Sequence, residues 1–227
     1  MEKRRDSATA YIILADGFET IEALTPLDVL RRCGVEVTTI SLNKTRAVRS
    51  SHGVTVEADA TMEEYMLKRS NAGSSSSAGS SSCGSNTINA GTSSSAGSTS
   101  TTASSSMRQA LILPGGYPGY KNLCDSPEVG ALITQFHKEG KLLCAICGAP
   151  TALKANQICR GAAITCHTSV KEELSDYYSI LSSAVVKYMN IITGMGAGRS
   201  LEFAFAIAEA LTSKEKVEEI KAKMEII

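Results

Sequence analysis

The sequence has no excess of charge: lysine plus arginine and aspartate plus glutamate each count 23, so the formal net charge is zero. No basic tract marks nucleic acid or an anionic membrane as a partner, which leaves small molecules or proteins. A long apolar run is also missing. The charged opening "MEKRRDSATA" leads only into "YIILA", too short for a signal-peptide core or a membrane span, and a cytoplasmic location is the expectation. The seven cysteines are odd in number and follow no framework spacing, so they read as free thiols of a reducing compartment. No second CxxC accompanies "CAIC". Cys144, Cys147, Cys166 and His167 make a poor zinc set, because neighbours on a strand point to opposite faces. Dithiol exchange fits poorly too, since the second cysteine of "CAIC", not the first, opens a helix.

Between Arg69 and Arg108 charge vanishes, and the interval is mostly Ser, Gly, Thr and Ala. Such a tract cannot bury enough apolar surface to offset its ordering entropy, so residues 70–106 read as a disordered insertion. Cys83 within it is a solvated, functionally neutral thiol. Loop-closure cost grows only logarithmically with length, so both flanks can belong to one fold. The expected organisation is an N-terminal tail, residues 1–7, and a single domain, residues 8–227, interrupted by the insertion.

The whole chain is 43% hydrophobic, enough for one core with that tract set aside, and the apolar stretches outside it alternate in kind. "TAYIILA", "VEVTTISL", "RQALILPGG", "KLLCAI", "AAITC", "AVVKYM" and "NIITG" read as strands, with two short strands around the "SSHG" turn. "FETIEALTPLDVLRRCG" has helical spacing at Ile21, Leu24, Leu27 and Leu30 and a Gly34 stop. "TMEEYMLKR", "SPEVGALITQFHKEG", "GAPTALKAN", "RSLEFAFAIAEAL" and "SKEKVEEIKAKMEII" read as further helices, the second with a Ser cap and Pro at its first position. Alternating strands and helices imply βαβ units and a mostly parallel sheet covered on both faces. Ligands of such sheets bind at the carboxyl ends of the strands.

Cys147 follows "KLLCAI" directly and precedes a helix, which is the layout of a nucleophile elbow with Cys in place of Ser. Gly148 and Ala149 allow a tight turn, and Pro150 suits a first helical turn. A thiol at a helix N-terminus is expected to favour thiolate. The plain alternative is a buried structural cysteine. The glycines of "LPGG", ending another strand, would aim N–H groups at the same edge, unless they serve only the turn. Glu19 and Glu22 near the first strand's end are solvated helix residues or, turned inward beside Cys147, proton donors or acceptors with raised pKa. His137 reads as a solvated side chain, His52 as a turn residue or, as the second reading, one lining the site, and Cys33, Cys124 and Cys159 as packing or loop residues.

Taken in order, "DGFETIEALTPLDVLRRCGVEVT", "LPGG", "AICGAPTAL", "TCH" and "GRSLEFAFAIAEAL" resemble the ThiJ/PfpI superfamily, in particular its parkinsonism-linked branch. The resemblance implies a flavodoxin-like three-layer α/β/α sandwich, similar to class I glutamine amidotransferases, and a homodimer. It implies that Cys147 is the reactive cysteine and Glu22 the carboxyl bonded to it. Gly116 and Gly148 would supply N–H groups near the thiol, and His167 would be the neighbouring histidine. The implied chemistry needs no metal or cofactor. It is a glyoxalase acting on methylglyoxal or glyoxal, or a deglycase acting on early adducts of proteins or nucleotides, in the oxidative-stress response. The alternative is a non-enzymatic redox sensor or chaperone working through Cys147 oxidation. A distant branch contains peptidases with a histidine after the nucleophile, where this chain has Gly148 and so lacks the base. Positions that hold arginines around the cysteine in the parkinsonism-linked branch carry His52 and Met195 here, with Arg199 a possible substitute.

Composition alone makes the insertion dispensable. Replacing residues 72–104 with a short Gly-Ser linker should leave melting temperature and glyoxal turnover unchanged. A several-fold loss of turnover at unchanged melting would place the insertion in the active site.

Overall fold

The computed structural model describes residues 8–74 and 108–226; the tail 1–7 and Cys83 lie outside the described residues. In chain order the first part comprises β1 (Thr9–Leu14), α1 (Thr20–Arg32), β2 (Glu36–Ser41), β3 (Ala47–Arg49), β4 (Thr55–Glu57), β5 (Ala60–Thr61) and α2 (Met62–Ser74). The second part comprises β6 (Gln109–Leu113), α3 (Gly119–Asp125), α4 (Pro127–Lys138), β7 (Leu142–Ile146), α5 (Pro150–Ala155), β8 (Ala163–Ile164) and α6 (Lys171–Ser175). It ends with β9 (Ser179–Ile180), β10 (Val185–Tyr188), β11 (Ile191–Gly194), α7 (Ser200–Leu211) and α8 (Lys214–Lys223).

A 7-stranded sheet in the order β10-β11-β7-β6-β1-β2-β5 forms the middle layer. It is parallel throughout except for the edge strand β10, which pairs antiparallel with β11. The two-residue period of its strands builds two cores. Ala10, Ile12, Ala110, Ile112, Cys144 and Ile146 face α1, α7 and α8, while Ile13, Leu111, Leu113, Leu143 and Ala145 face the helices of the other side. This is the flavodoxin-like three-layer sandwich expected. The chain passes from β1 outward to β2 and later returns to β6 on the other side of β1. That topological switch point opens a crevice at the carboxyl ends of β1, β6 and β7.

Several local expectations are corrected. Helix α2 runs through Ser74, inside the tract 70–106 read as disordered, because extending a nucleated helix costs far less than starting one. Helix α3 was not anticipated, since "YPGYKNLCD" opens with Pro and Gly; buried Leu123 ties it to the core. "AAITC" contributes only β8, which pairs with β9 outside the main sheet, so Cys166 and His167 follow the strand instead of sharing it. On α1 the buried face is Glu22, Ala23, Pro26, Val29 and Leu30, leaving Ile21 48% exposed. His137 is half-buried, not solvated, with Nδ1 enclosed without a partner and Nε2 3.8 Å from Cys159 Sγ.

The expected Ser126 cap of α4 is present, its side chain accepting the Val129 N–H with Pro127 beside it. Ser213 caps α8 in the same way. Among the described residues no helix is long and apolar enough to cross a membrane.

Candidate active site

Strand β7 ends where its partner β11 ends, at the Ile146 and Gly194 pair, and the next residue turns sharply. Cys147 has φ of 65°, the left-handed region that side chains other than glycine rarely occupy. Neighbours hold it there from several directions. Its N–H donates to Gly194 O at 3.0 Å, and its carbonyl accepts the His167 N–H at 2.9 Å. The Thr151 hydroxyl donates to Gly148 O at 2.8 Å and closes the first turn of α5. Gly148 lies against the Tyr120 ring so closely that a Cβ would come within 2.7 Å of it.

Glu22, at the start of α1, is fully buried and reaches across to the elbow. Its Oε2 accepts the Gly115 N–H at 2.9 Å, whereas Oε1 is enclosed without a hydrogen-bond partner. Gly115 is the point of closest approach: a Cβ there would fall within 2.6 Å of both Cys147 Cβ and Glu22 Oε2. Pro26, inside α1, cannot supply the helical N–H that would bond the Glu22 carbonyl.

The two acids are strongly coupled. Burial, with the charge of Glu19 adding to it, raises the Glu22 carboxyl to about 7, against the opposing hydrogen bonds of Cys147 and Gly115. Burial and then the Glu22 charge push the Cys147 thiol up to about 12, against the N–H groups of Gly116 and Gly148 that point at sulfur. This corrects the expectation that a helix N-terminus governs the thiol's titration. Helix α5 is a single short stretch, Pro150–Ala155, and desolvation outweighs its dipole. The pair therefore gives up one proton near neutrality and retains the second. Two backbone donors, Gly116 and Gly148, point at sulfur and one, Gly115, at the carboxyl, which favours the form with the charge on sulfur and the proton on Glu22.

A cavity of about 430 Å³ opens over the pair, lined by Glu19, Glu22, Gly116, Cys147, His167 and the segment from Met195 to Arg199. The structure thus brings together Cys147, Glu22, His167, Gly116 and Gly148. Gly115, one of the "LPGG" glycines expected to aim an N–H at this edge, does so toward Glu22 instead of an oxyanion, a partner that the sequence does not mark. Met195 and Arg199 line the cavity, and the Arg199 guanidinium donates to Glu202 at 3.0 Å. His52 does not line it but lies 3.3 Å from Glu19. A larger, more apolar groove of about 640 Å³ along α2 shares no lining residue with this cavity. Among the described residues no three His, Cys, Asp or Glu side chains are grouped to hold a metal ion.

Residues 8–210 match the DJ-1/PfpI family. The Drosophila melanogaster protein dj-1beta is 32% identical over 215 residues, covering 94% of this chain and 95% of the relative. Its crystal structure superposes with a TM-score of 0.77, covering 97% of this chain and 99% of that one. A Caenorhabditis elegans protein named glutathione-independent glyoxalase DJR-1.2 is 39% identical over 107 residues, 47% of this chain and 56% of that protein.

If the shared charge rests on sulfur, iodoacetamide labelling of Cys147 will rise with an apparent pKa of about 7. Labelling followed by peptide mass spectrometry across pH reads this directly. A rise delayed until about 12 would put the charge on Glu22 instead.

Proposed function

The chain belongs to the DJ-1/PfpI family, and from that premise we propose that it is a cofactor-independent glyoxalase that converts methylglyoxal or glyoxal to a hydroxy acid. The observation that supports this most is the buried carboxyl of Glu22, raised to about 7 beside a thiol at the floor of a cavity. A group with that pKa can both give and take a proton at neutral pH.

The chemistry follows from the pair. The Cys147 thiolate attacks the aldehyde carbon of methylglyoxal, forming a C–S bond, while the carbonyl electron pair moves to oxygen and takes the proton of Glu22. The carboxylate so formed can remove the remaining hydrogen of that carbon as a proton, giving an enediolate, and return it to the adjacent carbon, while the hydroxyl proton passes from the first oxygen to the second. His167 lines the same cavity. The product is a thioester of lactate. Water cleaves it, releasing lactate and restoring the thiol and carboxyl pair, so the sum is methylglyoxal plus water to lactic acid. Deglycation would apply the same thiol to the hemithioacetal or aminocarbinol formed on a protein or nucleotide.

The sensor reading finds less support in the cavity. A sulfinate on Cys147 would face Glu19 and Glu22, against one guanidinium, Arg199, already bonded to Glu202. Peptidase chemistry lacks a base at Gly148. A homodimer in the cytoplasm remains part of the proposal, and the half-exposed Ile21 beside Leu24 and Leu27 on α1 gives it an apolar face.

Incubation with methylglyoxal should yield lactate from the wild type and none from Cys147→Ala. In Glu22→Gln, Cys147 should still alkylate while lactate formation falls by about 10²-fold or more; unchanged turnover there would remove Glu22 from the mechanism. Light scattering should return a dimer mass, and a monomer at micromolar concentration would count against the assembly.

A further inference from the structure

We propose that His167 acts on the substrate as a hydrogen-bond donor through Nε2, not as a base, and that Ser169 is the positioning residue that enforces this. The proposal rests on the glyoxalase reading for its chemistry and on the hydrogen bonds alone for the tautomer.

His167 ends the connection after β8 and caps the 3-10 turn at Thr168–Val170 with its own ring. The Ser169 backbone N–H donates to Nδ1 at 3.2 Å, and the Ser169 hydroxyl lies 2.8 Å from the same atom. A backbone N–H can only donate, so Nδ1 must present its lone pair. In a neutral imidazole the proton then sits on Nε2. The ring is not free to turn around and exchange these roles without losing the cap. Its main chain is anchored as well, because the His167 N–H donates to the Cys147 carbonyl at 2.9 Å, fixing the ring's position relative to the reactive sulfur.

The ring edge that carries Nε2 lies on the side of Gly196. Cδ2, bonded to Nε2, is the atom that a Cβ on Gly196 would meet at 3.4 Å, and both residues line the space above Cys147. The site therefore offers an incoming carbonyl oxygen a fixed N–H on one side and the acidic Glu22 below. When the thiolate adds, negative charge develops on that oxygen, and Nε2–H can stabilise it without giving up its proton. A neutral imidazole used as an electrophile in this way leaves the carbon-to-carbon proton transfer to Glu22 alone. The two groups that sequence placed in one role are thereby separated: Glu22 moves the proton, and His167 holds the oxygen.

The test uses the full chain labelled with nitrogen-15 histidine. Long-range proton–nitrogen correlation at mildly alkaline pH, with the His167 signals identified by their loss in His167→Gln, should show the Nε2–H tautomer. A predominant Nδ1–H tautomer would overturn the proposal. Ser169→Ala keeps the backbone donor and should keep the spectrum; Ser169→Pro removes it and should lose the preference. A folded Ser169→Pro protein with the Nε2–H spectrum intact would remove Ser169 from the account. In kinetics, Gln retains an N–H donor but cannot serve as a base. His167→Gln should therefore lose less than about ten-fold in lactate formation, and His167→Ala about 10²-fold or more. Equal loss in both would make His167 a base and refute the proposal. If the wild type formed no lactate at all, the enzymatic reading would fall, and the tautomer spectrum would still decide the hydrogen-bond assignment.

Discussion

Two acidic side chains share one proton beneath three backbone N–H groups, and much of the molecule is arranged so that they can. Glu22 enters from the connection after β1, Gly115 and Gly116 from the one after β6, and Cys147 and Gly148 from the one after β7. Their strands are neighbours in the order β1, β6, β7. A parallel sheet puts the ends of such strands side by side, and the switch point leaves them uncovered. None of the three connections holds a complete site. Each contributes donors or an acid that is useful only against the other two.

Close approach, more than charge, limits the geometry. The carboxyl and the thiol meet over Gly115, where any side chain would overlap both, and the turn carrying the thiol rests on the flat of Tyr120. The left-handed backbone of Cys147 costs about 1–3 kcal/mol, a strain that persists only when the surroundings leave no other choice. Those surroundings are the Gly194 carbonyl on β11 and the N–H of His167. The hydrogen bond that locks the strained residue also positions the histidine, so the elbow and the donor above it form one unit.

Much of this is legible in the chain itself. Alternating strand and helix patterns identify the layered α/β fold, and a cysteine between an apolar strand and a Gly-Ala-Pro turn identifies the elbow. Ser126 and Ser213 announce their helices because a cap is a local device, read within a few residues. What eludes such reading depends on distant packing. Helix α3 is hidden because Pro118 and Gly119 look like a turn, while its anchor, Leu123, is explained only by the core it enters. On α1 the apolar spacing of Ile21, Leu24 and Leu27 points at one face, but the sheet buries another, with Glu22 in it. The thiol's titration was misjudged for the same reason. Helix position is visible in sequence, whereas desolvation by residues from other connections is not.

Glu22 also links the site to the stability of the fold. An unfolded chain releases this proton around the ordinary carboxylate value of 4.5, whereas the folded protein holds it to about 7. Between those values the folded state binds more protons than the unfolded one, so each added unit of pH favours unfolding. Above about 7 the full difference is in force, roughly 3 kcal/mol at most. A domain of this size has a stability of about 5–15 kcal/mol, so this one side chain is a sizeable fraction of the margin. Through this pair alone, the fold is less stable above about 7, where the pair has given up one proton, than in mild acid, where it holds both.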